Sequence, residues 1–254
     1  MKLNTKILDG FRFLLALWVA AGHFYILIGG TKFFNIPIIS YLLGHPIIAV
    51  NGFMVITGFL MTYHYILRES KEPFREVSTG IKFVLRRLFR LYPVYFLAIM
   101  AAFFLVEYMY RFRAETLEFF TGSTLTAFGA ESKMETPTLL GLFSHLLFVH
   151  GLIPHQDSSI LSVAWSLSLE MQFYVLFPVI FAFLFTKKTH LKFIVLTILS
   201  TLISVLTLSF YKQYFDMPAA LIFRMPIFLL GMMLAAAGLG KLKWRYVLLN
   251  GAVI

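Results

Sequence analysis

Apolar residues in this chain come in long blocks separated by short basic clusters. A transmembrane helix needs about 20 mostly apolar residues to cross a hydrocarbon core about 30 Å thick, and blocks of that length lie near residues 8–29, 46–66, 83–108, 161–186, 193–211 and 219–238. The pattern predicts an all-α, polytopic membrane helical bundle forming a single domain over residues 1–254. A shorter apolar stretch from Leu139 to Ile153 contains His145 and His150 and reads as a thin span or, preferably, a re-entrant segment. Tyr110 to Pro137, with Arg111, Arg113, Glu115, Glu118, Glu131, Lys133 and Glu135, is expected to form an outer loop. The run from Tyr246 to Ile254 resembles the first half of a further span, so C-terminal spans are expected to be missing and the natural chain to be longer.

Composition supports the membrane reading. Of 254 residues, 59% are hydrophobic and 13% charged, whereas soluble domains carry about 25% charged residues. A soluble enzyme and a disordered chain are both excluded, and the absence of Cys rules out a disulfide scaffold, a thiolate zinc site and an acyl-cysteine mechanism. No cleavable signal peptide is visible, because the first apolar run is too long and carries Arg and His.

The formal charge of +10 sits in clusters between apolar runs, where positive charge orients the chain against anionic headgroups; nucleic acid is not an expected partner. Lys2 and Lys6 precede the first span, and seven basic residues against three Glu lie between Arg68 and Arg90. Both clusters belong in the cytoplasm, which places the N-terminus there. Lys187, Lys188 and Lys192, and Lys241, Lys243 and Arg245, reach the same side only if 139–153 does not cross completely.

Ionisable groups within a bilayer are costly, and those that persist usually face a cavity or one another. Arg12 and His23 are eleven residues apart, about three turns and about 16 Å on one helix face, with small Ala16, Ala20 and Gly22 nearby. A buried imidazole is expected to be neutral and able to take a proton from a hydroxyl; the plainer alternative is a snorkelling Arg and a hydrogen-bonded core His. Arg86, Arg87 and Arg90 cluster at i, i+1 and i+4, and their guanidinium forks suit phosphate oxygens, although a positive-inside stop would carry the same charge. Ser162, Ser166 and Glu170 form a stripe whose carboxylate is expected to orient His23 or pair with an arginine; serines alone also pack well between membrane helices.

Together these segments resemble the acyltransferase family 3 membrane proteins. The likeness rests on Leu8-Asp9-Gly10-Phe11-Arg12 through Gly22-His23, on Asn51 to Leu60 with Thr57-Gly58-Phe59-Leu60, on Arg86-Arg87-Leu88-Phe89-Arg90-Leu91-Tyr92-Pro93 and on Trp165 to Tyr174; Phe223-Arg224-Met225-Pro226 to Gly231 is weaker. The resemblance implies a bacterial inner-membrane O-acyltransferase that moves an acyl group, usually acetyl, from acyl-CoA to a surface carbohydrate or lipid-linked sugar. No permanently bound cofactor is implied, since acetyl-CoA is a substrate. The family's paired basic residue and histidine map onto Arg12 and His23, and its Arg-x-x-Arg onto Arg87 and Arg90. Thr57 stands where the family usually has Ser, and Met171 replaces a frequent second acid.

The expected mechanism has Arg87 and Arg90, with Arg86, holding the donor's phosphates. His23 acts as base with Arg12, Glu170 or Asp9 orients a partner, and Ser166, Thr57 and Arg224 lie nearby. A secondary transporter or a non-catalytic membrane subunit are the rivals; a transporter predicts an internal repeat, and none is visible. Nothing names the acceptor, though His155 and Asp157 lie where one could be touched.

Overall fold

The computed structural model describes residues 5–30, 36–74, 76–122 and 137–252. Its helices are α1 (Lys6–Leu27), α2 (Pro37–Gly44), α3 (Ile47–Arg68), α4 (Val77–Thr121), α5 (Leu139–Leu146), α6 (Trp165–Leu184), α7 (Thr189–Tyr211), α8 (Met225–Gly238) and α9 (Trp244–Gly251), and no strand occurs among the described residues. Five helices are long and apolar enough to cross a membrane: α1, α3, α4, α6 with its preceding 3-10 turn, and α7. An all-helical bundle is what lipid demands, because a helix satisfies its backbone hydrogen bonds internally.

Two elements depart from the sequence expectation. The predicted span 83–108 is one part of a 45-residue helix, about 67 Å long at 1.5 Å per residue. Charges beyond residue 108 do not end it; Glu107 and Arg111 pair at i,i+4 (2.6 Å), and the helix stops only where Gly122 takes up a left-handed backbone (φ 64°) and its N–H reaches the Glu118 carbonyl. Tyr110 to Thr121 is therefore helix rather than loop, while Glu131, Lys133 and Glu135 lie outside the described residues, as do Arg75 and Lys2. The predicted span 219–238 is also cut short, because residues 221–223 form a 3-10 turn and Pro226 opens a helix of 14 residues. At about 21 Å, α8 falls short of the hydrocarbon thickness.

Residues 139–153 do not form a continuous span. Thr138 caps α5 by accepting from Gly141 N–H (3.0 Å), and after eight residues the chain turns through Phe148, which has a positive φ of 59°. The segment returns to α6 through Ser168, whose hydroxyl donates to the Phe148 carbonyl (2.7 Å) and accepts from Gly151 N–H (3.2 Å). The segment is thus two short helical pieces joined by a turn and folded against α6, not one helix running through the bundle.

The centre of the bundle is the α3–α8 pair. A Cβ added to Gly231 would lie 2.1 Å from the Val55 carbonyl oxygen, and one on Gly58 would lie 2.3 Å from that of Phe228. Only glycine permits this approach of two backbones. Around it, Tyr65, Phe74, Phe83, Phe177 and Phe181 interlock at ring separations of 4.2 to 6.0 Å, joining the end of α3 to the start of α4 and the end of α6. At that end His190 stacks on Tyr246 (4.7 Å), bringing the Lys192 and Arg245 clusters together. At the other, Asp157 accepts from Met217 N–H (2.6 Å) and His155 N–H donates to the Tyr214 carbonyl (2.9 Å). The basic clusters thus share one end of the bundle, as the re-entrant reading requires.

Candidate functional site

Helix periodicity aims one stripe of each of four helices into a common cavity of about 640 Å³. From α1 come Arg12, Ala16, Val19, Ala20 and His23, which repeat at three- and four-residue steps. Helix α3 adds Val50, Phe53, Met54 and Thr57; α4 adds Arg87, Arg90 and Leu91; and the α6 region adds Val163, Ser166, Leu167, Glu170 and Tyr174, with Phe228 of α8 beneath them. The volume lies within the range of about 300–1,000 Å³ typical of ligand sites, and the wall is mostly apolar with a few convergent polar groups.

Glu170 is the best-anchored polar group. Its Oε1 accepts from the Thr57 hydroxyl (3.2 Å) and from the Tyr174 hydroxyl one turn further along α6. Neither His23 nor an arginine is bonded to it among the described residues, so the expectation that it orients the one or pairs with the other is replaced by a hydroxyl clamp. Those hydroxyls compensate a half-buried carboxylate where an ion pair would otherwise be needed.

The arginines separate into distinct roles. Arg87 lies with its guanidinium carbon 5.8 Å from the Phe83 ring centre and 6.0 Å from that of Tyr174, which holds its fork between two aromatic faces. No carboxylate lies within 4.0 Å of Arg12, Arg87 or Arg90 among the described residues, where the salt bridges are Arg86–Glu72 and Arg111–Glu107. Cationic side chains without an internal counter-ion at a cavity wall suit an anionic ligand. Arg86 faces elsewhere: it donates to Glu72 (2.9 Å) and to the Tyr65 hydroxyl (3.0 Å) and lines a second, smaller cavity with His64, Tyr65, Arg68, Phe83 and Arg87. Arg87 borders both.

His23 is more than a third exposed, because its ring faces the open cavity rather than a packed core. The described residues give it no hydrogen-bond partner, and it is accessible to a ligand hydroxyl. Gly22 does not serve the cavity; a Cβ there would meet the Leu43 carbonyl oxygen at 2.8 Å, so its smallness admits the α2–α3 corner.

Other expected residues lie outside the cavity wall. Asp9 is exposed on the first turns of α1. Ser162 sits in the 3-10 turn before α6, and the polar stripe continues instead as Ser166, Glu170 and Tyr174. Arg224 stands at the start of α8 with its Nε buried and unpaired. Asp157 is fully buried and committed to Met217 N–H, so it is closed to an acceptor. Tyr174 was not singled out by sequence reasoning; its position four residues after Glu170 is the signal that marks it.

The second face of the α6 motif is structural. Gln172, four residues after Ser168, donates to the Ala219 carbonyl (2.8 Å) and accepts from Leu221 N–H (2.9 Å), pinning the 3-10 turn that leads into α8. One helix therefore carries the site on one stripe and fastens two irregular segments with another.

A family model described as an acyltransferase domain, that of acyltransferase family 3, matches residues 5–254, essentially the whole chain. No curated protein and no solved structure gives a significant match.

Proposed function

Since the chain belongs to acyltransferase family 3, we propose that it is a multi-pass inner-membrane O-acyltransferase, with a cytoplasmic N-terminus, that transfers an acetyl group from acetyl-CoA to a hydroxyl of a carbohydrate or lipid-linked sugar. The observation that carries this reading is the single cavity that collects Arg12, His23, Arg87, Arg90 and Glu170 from helices far apart in sequence. The family match favours it over a transporter or a non-catalytic subunit.

In this reading the pyrophosphate of the donor lies against Arg87 and Arg90, whose forks bind phosphate oxygens in pairs. The pantetheine arm runs along the Ala16–Val19–Ala20 stripe toward His23, over the roughly 16 Å that separates Arg12 from His23 on the helix axis. Small residues there leave the arm its path. His23 takes the proton of the acceptor hydroxyl while that oxygen attacks the thioester carbonyl. The carbon–sulfur bond breaks, the sulfur leaves with the electron pair, and the imidazolium returns the proton to it, giving the ester and free CoA. Arg12, about 16 Å from His23 along the helix, adds its positive charge to Arg87 and Arg90 at the phosphate end of the cavity. Glu170, held by Thr57 and Tyr174, orients the acceptor. Direct attack is preferred over an acyl-histidine because it needs one transfer rather than two.

Membranes containing the protein are supplied with acetyl-labelled acetyl-CoA, and label is followed into carbohydrate. Transfer is expected with the native chain and lost with His23→Ala. Normal transfer by that variant would remove His23 from the base role, and consumption of no acyl-CoA at all would overturn the donor assignment.

A further inference from the structure

The smaller cavity, about 260 Å³, is lined by His64, Tyr65 and Arg68 of α3 and by Phe83, Arg86 and Arg87 of α4. Its charge is one-sided. Arg68 has no carboxylate within 4.0 Å among the described residues, and Arg86 is turned by Glu72 and by the buried Tyr65 hydroxyl. With Arg87, the pocket holds three guanidiniums against the single carboxylate that positions one of them. The carboxyl end of α3, whose dipole alone would repel an anion, is closed: Lys71 N–H and Glu72 N–H both reach the Arg68 carbonyl at 2.8 Å. Tyr65 and Phe83 form an edge-to-face pair (5.0 Å) at the apolar side, so the pocket has a rigid wall and a cationic rim.

Its position gives the anion an identity. Arg87 is the partition between this pocket and the large cavity. A ligand whose reacting end is in the large cavity and whose first anionic group is met by Arg87 and Arg90 places its next anionic group beyond Arg87. Coenzyme A has that second group, the phosphate on the 3′ oxygen of its ribose. We propose that Arg68, Arg86 and His64 form a subsite for the ribose 3′-phosphate, by which the protein selects CoA thioesters over thioesters that lack it. The assignment rests on acetyl-CoA being the donor. A phospholipid headgroup offers the same phosphate chemistry, and the experiment separates the two sources.

The full chain, purified into nanodiscs, is assayed with acetyl-CoA and with acetyl-3′-dephospho-CoA. Charge-assisted hydrogen bonds to a phosphate predict a KM at least about tenfold higher for the dephospho donor, with kcat little changed. Arg68→Ala raises the KM for acetyl-CoA so that the ratio between donors falls toward one, and Arg68→Lys restores part of it. Equal KM values for the two donors in the native chain would overturn the subsite while leaving acyl-CoA as donor. Absence of turnover with both would overturn the subsite together with the donor reading. A native donor ratio near one, combined with loss of co-purifying anionic lipid in Arg68→Ala by native mass spectrometry, would assign the pocket to a headgroup and reject the proposal.

Discussion

Thr57 Oγ1 donates to Glu170 Oε1 at 3.2 Å, joining α3 to α6 across 113 residues of sequence. The bond fixes the carboxylate at the cavity wall from one side while Tyr174 holds it from the other. Removing the hydroxyl leaves a half-buried carboxylate with one partner fewer, a loss of about 1.5–3 kcal/mol for a bond to a charged group. Thr57→Val is expected to lower kcat/KM for acyl transfer by roughly ten- to hundredfold, whereas Thr57→Ser stays near the native value. Initial rates with labelled acetyl-CoA distinguish the pair; equal rates for Val and Ser would mean that the bond does not serve the reaction.

Arg87→Lys keeps the charge but loses the planar fork between Phe83 and Tyr174. The expected result is a KM for acetyl-CoA raised by about tenfold, with a steeper salt dependence because a point charge replaces a paired, desolvated contact. A titration of donor at two ionic strengths measures both, and an unchanged KM would place the donor's phosphates elsewhere.

Gly231→Ala puts a methyl carbon 2.1 Å from the Val55 carbonyl oxygen, against backbone that cannot swing aside. Severe destabilisation is expected, read as loss of monodisperse protein in size-exclusion chromatography after heating. Gly10→Ala, where an added Cβ meets nothing within 4 Å, is the matched control and should gain about 0.5–1 kcal/mol from helix propensity. Similar melting of the two variants would contradict the close α3–α8 crossing.

Asp157 has its carboxyl pushed above the usual range by burial, with Asp216 adding to the effect and Met217 N–H opposing it. A folded-state pKa above the unfolded one means that the contribution to stability is present at low pH and lost as pH rises through the folded value. Asp157→Asn keeps the acceptor for Met217 N–H without the charge. Its melting temperature is expected to exceed the native one at about pH 8 and to match it at about pH 4. A gain confined to acid would reverse the sign.

The membrane bundle was readable because crossing a bilayer imposes a length on apolar blocks, and α1, α3, α6 and α7 follow it closely. The end of α4 was not readable, because charge stops a span but not a helix: Glu107–Arg111 pairing and the first left-handed glycine at 122 decide where it ends. Arg12 and His23 could be placed on one face from spacing alone, since that is a property of a single helix. What met them could not, because Thr57, Arg87 and Glu170 come from three other helices that only the packed bundle brings to one cavity. Ser168 and Gln172 lie within two residues of Glu170 in the chain, yet the 100° step of the helix turns them away from the cavity to fasten neighbouring segments.

The cavity is bounded on one side by α1 alone, which presents Arg12, Ala16, Ala20 and His23 inward and Phe13, Leu14, Leu17 and Phe24 outward. That wall is one helix thick, about 10 Å. The surrounding lipid is therefore a structural neighbour of the reaction chamber, lying against the outer face of a helix whose inner side packs Leu15 onto Gly52. Detergents that strip this annulus would slacken the spacing of Arg12 and His23 from the fixed Thr57–Glu170 side long before they unfold the glycine-locked centre, so activity should fade in micelles while the fold survives.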